Sequence, residues 1–420
     1  MLVKVILYDR LLEKSSCKNW TFVGSDYLKL SICRKKIIGK RVPLNHFYRE
    51  EMVKLRPKIL LWLSAQKAFN NDSLFWWMTH IAGKNNIGIK TFLDILQIST
   101  LKNQILTQSN LRELLIICED IYIYESVLEN LNINNGELSK IYIIYKRSIF
   151  LTFSIIVSLK NILKETIKFL IYKWYAFTTK MVDIKFENSE LHVFHQCLDD
   201  KSFLSKGTVS CRYFNDLPDW LEKKEKKVLR IPWLFNVNFP LKEIFQKLRD
   251  NNSLIAYDFV NLLEFFYSMK NCFKSSKSIN SKIPFNGLKI TKLINKEKNR
   301  QISENFTFVR FWIYNYFLKK LFSNSNKIYF YSTFEMLVHE HVQAFFVHSN
   351  FSKSSKVIGY YHTLMSKDFL GHYFYSDEIN SIIFPDLIIT NGNLAKEILI
   401  ERGIPKNKIL AGPNLRYSKT

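Results

Sequence analysis

Glu335, His362, Thr363, Asn391, Gly392 and Arg416 each follow a short apolar, β-branched run in the C-terminal third of the chain. In an open parallel sheet the carboxyl ends of such runs converge on one crevice, so these residues are expected to share a ligand. A carboxylate or imidazole there can take a proton from a hydroxyl, and a guanidinium can hold a phosphate. Glu335 also stands where a helix should begin, and the helix dipole alone would stabilise a carboxylate at that place.

Metal chemistry is not expected. Five of the nine histidines lie between His339 and His372. His339 and His341, however, are two apart in an expected helix and point to different faces. No histidine pair four apart and no Cys-x-x-Cys completes a ligand set, so these are read as structural histidines. The sequence also holds no G-x-x-x-x-G-K-[ST], no G-x-G-x-x-G and no G-x-S-x-G, which disfavours an ATPase or a nicotinamide enzyme.

The elements that must position these residues alternate between strand and helix. Strands are expected at 327–331, 357–361, 386–390 and 408–411, and helices at 333–347 and 394–402. Gly403 and Pro405 close the last helix. Upstream, 191–195 and 227–233 read as strands around a helix at 217–226. Residues 2–8 and 113–118 read as buried parallel strands. The expectation is an α/β protein built on Rossmann-like parallel sheets. Its regions would be 1–135 (α/β), 136–180 (a basic amphipathic helical segment) and 181–416 (a second α/β unit). Between 270 and 300 nine Lys or Arg face one acid, which reads as a solvated loop.

Asp72-Ser-Leu-Phe-Trp-Trp-Met-Thr79 reads as a capped helix start. Trp76 and Trp77 there suit core packing or the face of a sugar, and Asp72 suits a cap or a ligand. Residues 148–159 are uncharged but fall short of the ~20 residues that span a bilayer. Lys160, Lys164 and Lys168 follow at i, i+4 and i+8, with Trp174 beyond them. That pattern fits a helix lying in a membrane interface, or one packed on the protein's own core. Formal net charge is +24, from 61 Lys and Arg against 37 Asp and Glu. Lys-rich codon usage accounts for part of it and an anionic surface for the rest, with no recognisable module to bind nucleic acid. Six scattered cysteines fit a reducing compartment, and residues 1–10 read as a strand, not a signal peptide, so a cytoplasmic location is expected.

Three ordered segments carry a resemblance: Asp72–Thr79, Arg212-Tyr-Phe-Asn-Asp-Leu-Pro-Asp-Trp-Leu221, and Phe334-Glu335 followed by Glu340. With Lys356–Thr363, Pro385–Gly392 and Gly403–Arg416, the chain resembles the first half of GT-B glycosyltransferases of the bacterial O-antigen and lipopolysaccharide type. The resemblance implies sugar transfer from a nucleotide-sugar to a lipid-linked or glycan acceptor, on the inner face of the cytoplasmic membrane and without a bound cofactor. It implies Glu335 or His362 as base, with Asp72, Trp76, Trp77, Thr363, Asn391, Gly392 and Arg416 around the substrate. Such enzymes carry a second, donor-binding domain, and residues 417–420 stand where the linker to it would start, so the resemblance implies a truncated gene, a fragment of a longer chain, or a separate polypeptide that supplies the donor half as a partner. The rival expectation is a non-catalytic scaffold of a polysaccharide-assembly complex at the membrane surface. A nucleic-acid binder, suggested only by the +24 charge, is a third, and within the enzyme class a phosphotransferase moving a polyol phosphate would use a similar cleft.

Overall fold

The computed structural model describes residues 2–11, 15–84, 90–108, 112–133, 138–179, 190–203, 209–235, 237–304, 308–322, 327–351, 355–366 and 369–415. Among the described residues ten strands form two sheets, and every pairing within them is parallel. Strands β1 (Leu2–Leu7), β2 (Ser15–Val23), β3 (Ile37–Arg41) and β4 (Glu113–Cys118) make the first, in the order β1-β4-β2-β3. The second contains β5 (Glu190–Leu198), β6 (Lys227–Leu234), β7 (Lys327–Thr333), β8 (Lys356–Tyr361), β9 (Leu387–Asn391) and β10 (Ile409–Gly412), in the order β10-β9-β8-β7-β5-β6. The chain is thus an α/β protein of Rossmann-like class. In the second sheet it steps from β5 outward to β6, then returns to the opposite side of β5 to lay down β7. That reversal opens a crevice beyond the carboxyl ends of β5 and β7.

Parallel strands covered on both faces need apolar runs, and β4 and β5 show them, with Leu114, Ile116, Ile117, Val193 and Phe194 all buried. The expected strands are all present, and two were not anticipated: β2 and β3. Both carry polar or charged residues along exposed stretches.

Residues 270–300 are not a solvated loop. A helix runs over Leu262–Lys277 and another over Thr291–Glu304, and Ile279, Phe285, Ile290, Leu293 and Ile294 between and within them are buried. They join the core of the first sheet, where Trp62 donates through Nε1 to the Ile283 carbonyl. The lysines ride the outer faces of these helices, so charge count misled where apolar spacing would have served. Lys296 alone turns inward, 2.8 Å from both Asp94 and Asp120. The same apolar cluster continues into Phe334, Phe374, Ile388 and Ile409 of the second unit. A buried ion pair crosses there too, Lys84 Nζ to Glu378 Oε2 at 2.6 Å.

The basic segment becomes one helix, Lys140–Thr178, ~58 Å long at 1.5 Å per residue. Ser139 caps it by accepting from the Tyr142 N–H. It is long and apolar enough to cross a membrane by length and composition. Apolar residues lie on both of its sides, and Phe169 and Ala176 are buried against the protein. The protein-facing side buries Ser154 and Ser158, and Ser158 Oγ and Asn161 Nδ2 donate to the carbonyls of Ile302 and Ser303. The outer side exposes Ile156, Leu159, Leu163, Ile167, Leu170 and Trp174, with Leu163 at 62% and Trp174 at 64%.

Candidate functional site

A cavity of about 340 Å³ fills the crevice at the carboxyl ends of β5, β6 and β7. The turn after β7 builds its most reactive corner. Thr333 ends the strand, Phe334 plugs inward, and Met336 takes a left-handed φ of 58°. Gly359 on β8 permits this, because a Cβ there would stand 3.1 Å from the Phe334 Cβ. Glu340, in the first turn of the helix Val338–Asn350, then gathers three donors: Thr333 Oγ1 at 2.6 Å, the Glu335 N–H at 2.9 Å and the Leu337 N–H at 3.1 Å. The backbone of Glu335 is thereby pinned, and its carboxylate lines the cavity.

Glu335 Oε1 lies 3.2 Å from His362 Nε2, so the two residues expected to act together do meet. His362 follows β8, and Asn391 Nδ2 donates to its carbonyl at 3.1 Å. Asn391 therefore positions the histidine without lining the cavity. Gly392 has φ 104°, the left-handed region a tight strand-to-helix turn needs. Thr363 is half-buried beside His362, outside the cavity lining. Arg416 lies outside the described residues.

Burial lifts the Glu335 carboxyl above its ordinary range, and the Arg212 guanidinium pulls it part of the way back. Arg212 is 3.1 Å from Asp199 and donates to the Tyr213 hydroxyl, while the Tyr213 ring sits edge-on to His362 at 4.4 Å. A second guanidinium, Arg310, stacks over Trp233 at 4.8 Å and has no carboxylate within ion-pair distance among the described residues. Such a cavity can bind an anionic group and take a proton from a hydroxyl. Asp199, Arg212, Tyr213 and Arg310 went unassigned in the sequence. Arg212 and Tyr213 stand in a segment singled out there only for its pattern.

Three expected ligand residues sit elsewhere. Trp76 and Trp77 are closed in the core, at 0% and 1% exposure, so neither indole offers a face to a sugar. Asp72 accepts from Trp77 Nε1 at 2.6 Å and serves that packing. The cap of the short helix Leu74–Trp77 is Ser73. Of the four expected membrane contacts, Lys160, Lys164 and Trp174 are exposed, but Lys168 turns inward over the Tyr172 ring and lines a neighbouring cavity of about 70 Å³.

The first sheet has a polar cavity of about 290 Å³ of its own beyond β2. Glu119 accepts from the N–H groups of both Ser25 and Asp26 at its edge, and Arg34 and Arg41 line it, but among the described residues no histidine and no carboxylate–imidazole pair does. The crevice of the second sheet is the better candidate. No family model matches this chain, and neither a curated protein nor a solved structure matches it.

Proposed function

We propose that the chain binds the acceptor side of a sugar transfer, from a nucleotide-sugar to a lipid-linked or glycan acceptor of cell-surface polysaccharide synthesis. The observation that carries this reading is Glu335 at the strand-reversal crevice, paired with His362 and lining one cavity with Arg212. A raised carboxyl backed by an imidazole suits removal of a proton from an acceptor hydroxyl as the glycosidic bond forms. Arg212 and Arg310 suit a phosphate on donor or acceptor. The donor diphosphate is assigned to a second nucleotide-binding unit, on a partner polypeptide or elsewhere.

The long helix supports a membrane-surface setting. Its exposed stripe is apolar, Lys160 and Lys164 flank it, and the whole chain carries +24. Because its other side is hydrogen-bonded to the protein as far along as Lys173, it suits lying along an anionic bilayer on the cytoplasmic side. A non-catalytic scaffold would use the same stripe, and that is the second reading.

The test compares membranes from cells producing the chain with membranes carrying Glu335→Gln. Both receive a panel of radiolabelled nucleotide-sugars, and label in lipid-extractable and glycan product is counted. Chain-dependent incorporation should fall about 100-fold or more in the variant. No chain-dependent incorporation with any donor would sink the catalytic reading in favour of the scaffold.

A further inference from the structure

His195 and Cys197 are two apart on β5, and in a strand that spacing puts both side chains on one face. The same face receives His339, from the first turn of the helix Val338–Asn350. A ring nitrogen of each histidine and the Cys197 sulfur lie within 4.8 Å of one another. His195 is wholly buried, and neither of its ring nitrogens has a hydrogen-bond partner among the described residues. An unpartnered buried polar group is destabilising, so the position asks for a ligand.

The geometry points to a zinc site made by His195, Cys197 and His339, with its fourth position open to the cavity that Cys197 and His339 line. Two imidazoles sharing a tetrahedral ion at ~2.0–2.1 Å hold their ring centroids about 5 Å apart. Those of His195 and His339 are 5.2 Å apart. The three donors, within 4.8 Å of one another, would close to the ~3.3–3.8 Å edges of such a tetrahedron when the ion binds. Trp233, Tyr314 and Phe311 pack around the two rings and keep the set dry. Two nitrogens and one thiolate suit a borderline-soft divalent ion, and magnesium or calcium would find no oxygen shell here. On binding, the thiol proton leaves to solvent and a zinc–sulfur bond replaces it. The second nitrogen of His195 lacks the outer bond that usually orients a ligating histidine, which lowers affinity about 10- to 100-fold from that of a fully supported site. This inference does not depend on the proposed sugar transfer.

The full-length protein, stripped with chelator, is titrated with Zn²⁺ and separately with Co²⁺. One equivalent of zinc should bind, and the cobalt form should show a thiolate-to-metal charge-transfer band in the near ultraviolet. Cys197→Ser should abolish that band and weaken zinc binding at least 10-fold, while Cys33→Ser, at a buried thiol of the helix Tyr27–Lys36, should change neither. His339→Gln should weaken binding and keep the band. A wild-type cobalt form without the band, or zinc bound equally by wild type and Cys197→Ser, overturns the site. The wild-type spectrum decides the matter even if a variant fails to fold.

Discussion

Replacing Lys84 by Met removes the cation paired directly with a wholly buried carboxylate, Glu378. Lys84 Nζ lies 2.6 Å from Glu378 and 2.7 Å from the Tyr373 carbonyl, with both side chains at 1% exposure or less. Burial pushes the Lys84 ammonium down and the Glu378 carboxyl up, while each partner opposes the shift in the other. Without the ammonium, Glu378 escapes an unpaired buried charge by taking a proton. Holding a carboxyl of ordinary pKa ~4.3 protonated at pH 7 costs about 3.7 kcal/mol, at 1.36 kcal/mol per unit. The orphaned Tyr373 carbonyl adds about 1 kcal/mol. The sum falls within the ~3–5 kcal/mol typical of breaking a buried pair from one side. The pH dependence is the sharper test. In the variant, the folded-state pKa of Glu378 stands above its unfolded value, so its stability contribution is present below pH ~4.3 and lost as pH rises. The deficit relative to wild type should therefore shrink to about 2 kcal/mol at pH 5. Urea unfolding followed by tryptophan fluorescence at the two pH values measures both deficits. Adding Glu378→Gln should restore most of the loss at pH 7. An equal deficit at pH 5 and pH 7, or no recovery in the double variant, would refute the reasoning.

Two further outcomes follow from the same coordinates. Burial lifts Asp94 to about 6 even though Lys296 pulls it down, so its contribution to stability is present below its unfolded pKa and lost as pH rises toward 6. Asp94→Asn should remove that loss, so wild type should weaken relative to the variant by about 3 kcal/mol between pH 3 and pH 7, measured by denaturant unfolding across that range. Leu163→Glu with Ile167→Glu, both on the exposed stripe, should leave the unfolding midpoint within about 0.5 kcal/mol of wild type. The same pair should abolish cosedimentation with phosphatidylserine vesicles, and unchanged vesicle binding would remove the membrane from the proposal.

The second sheet was legible because its strands are short β-branched runs punctuated by Gly and Pro, as at Val357–Tyr361 and Asp386–Thr390. Turn chemistry was legible too: Gly403 has φ 102°, where the sequence placed the helix end. What failed was the reading of 270–300 from its charge. Lysines on exposed faces hid the packed helix Thr291–Glu304, and polar residues along β2 hid a strand whose last four residues are buried. Glu335 and His362 were identified from their places at strand ends, a rule of topology that survives without knowing side-chain directions. Cys197 and Arg310 were missed because what they face depends on tertiary packing. The His195-x-Cys197 spacing was readable in principle, since period two on a strand is as informative as period four on a helix.

The long helix and the crevice bear on one another through two residues. Trp233 and Arg310 line both the main cavity and the smaller one that Lys168 and Tyr172 of the helix help to close. The wall between the membrane-suited element and the Glu335 corner is therefore one indole with a guanidinium stacked on it. Burial lowers the Arg310 pKa, with Glu165 of the helix opposing, and an anionic ligand phosphate would offset much of that desolvation. In the proposed function, an acceptor anchored in lipid meets charge before it meets the base. Its phosphate is held at Arg310, and its free hydroxyl reaches the cavity that Glu335 lines. A helix that turned its apolar side inward would gain packing but bury the stripe that a bilayer needs. In the proposed function the exposed stripe of Leu159, Leu163, Ile167, Leu170 and Trp174, left over after Phe169 and Ala176 are buried inward, is what meets the bilayer.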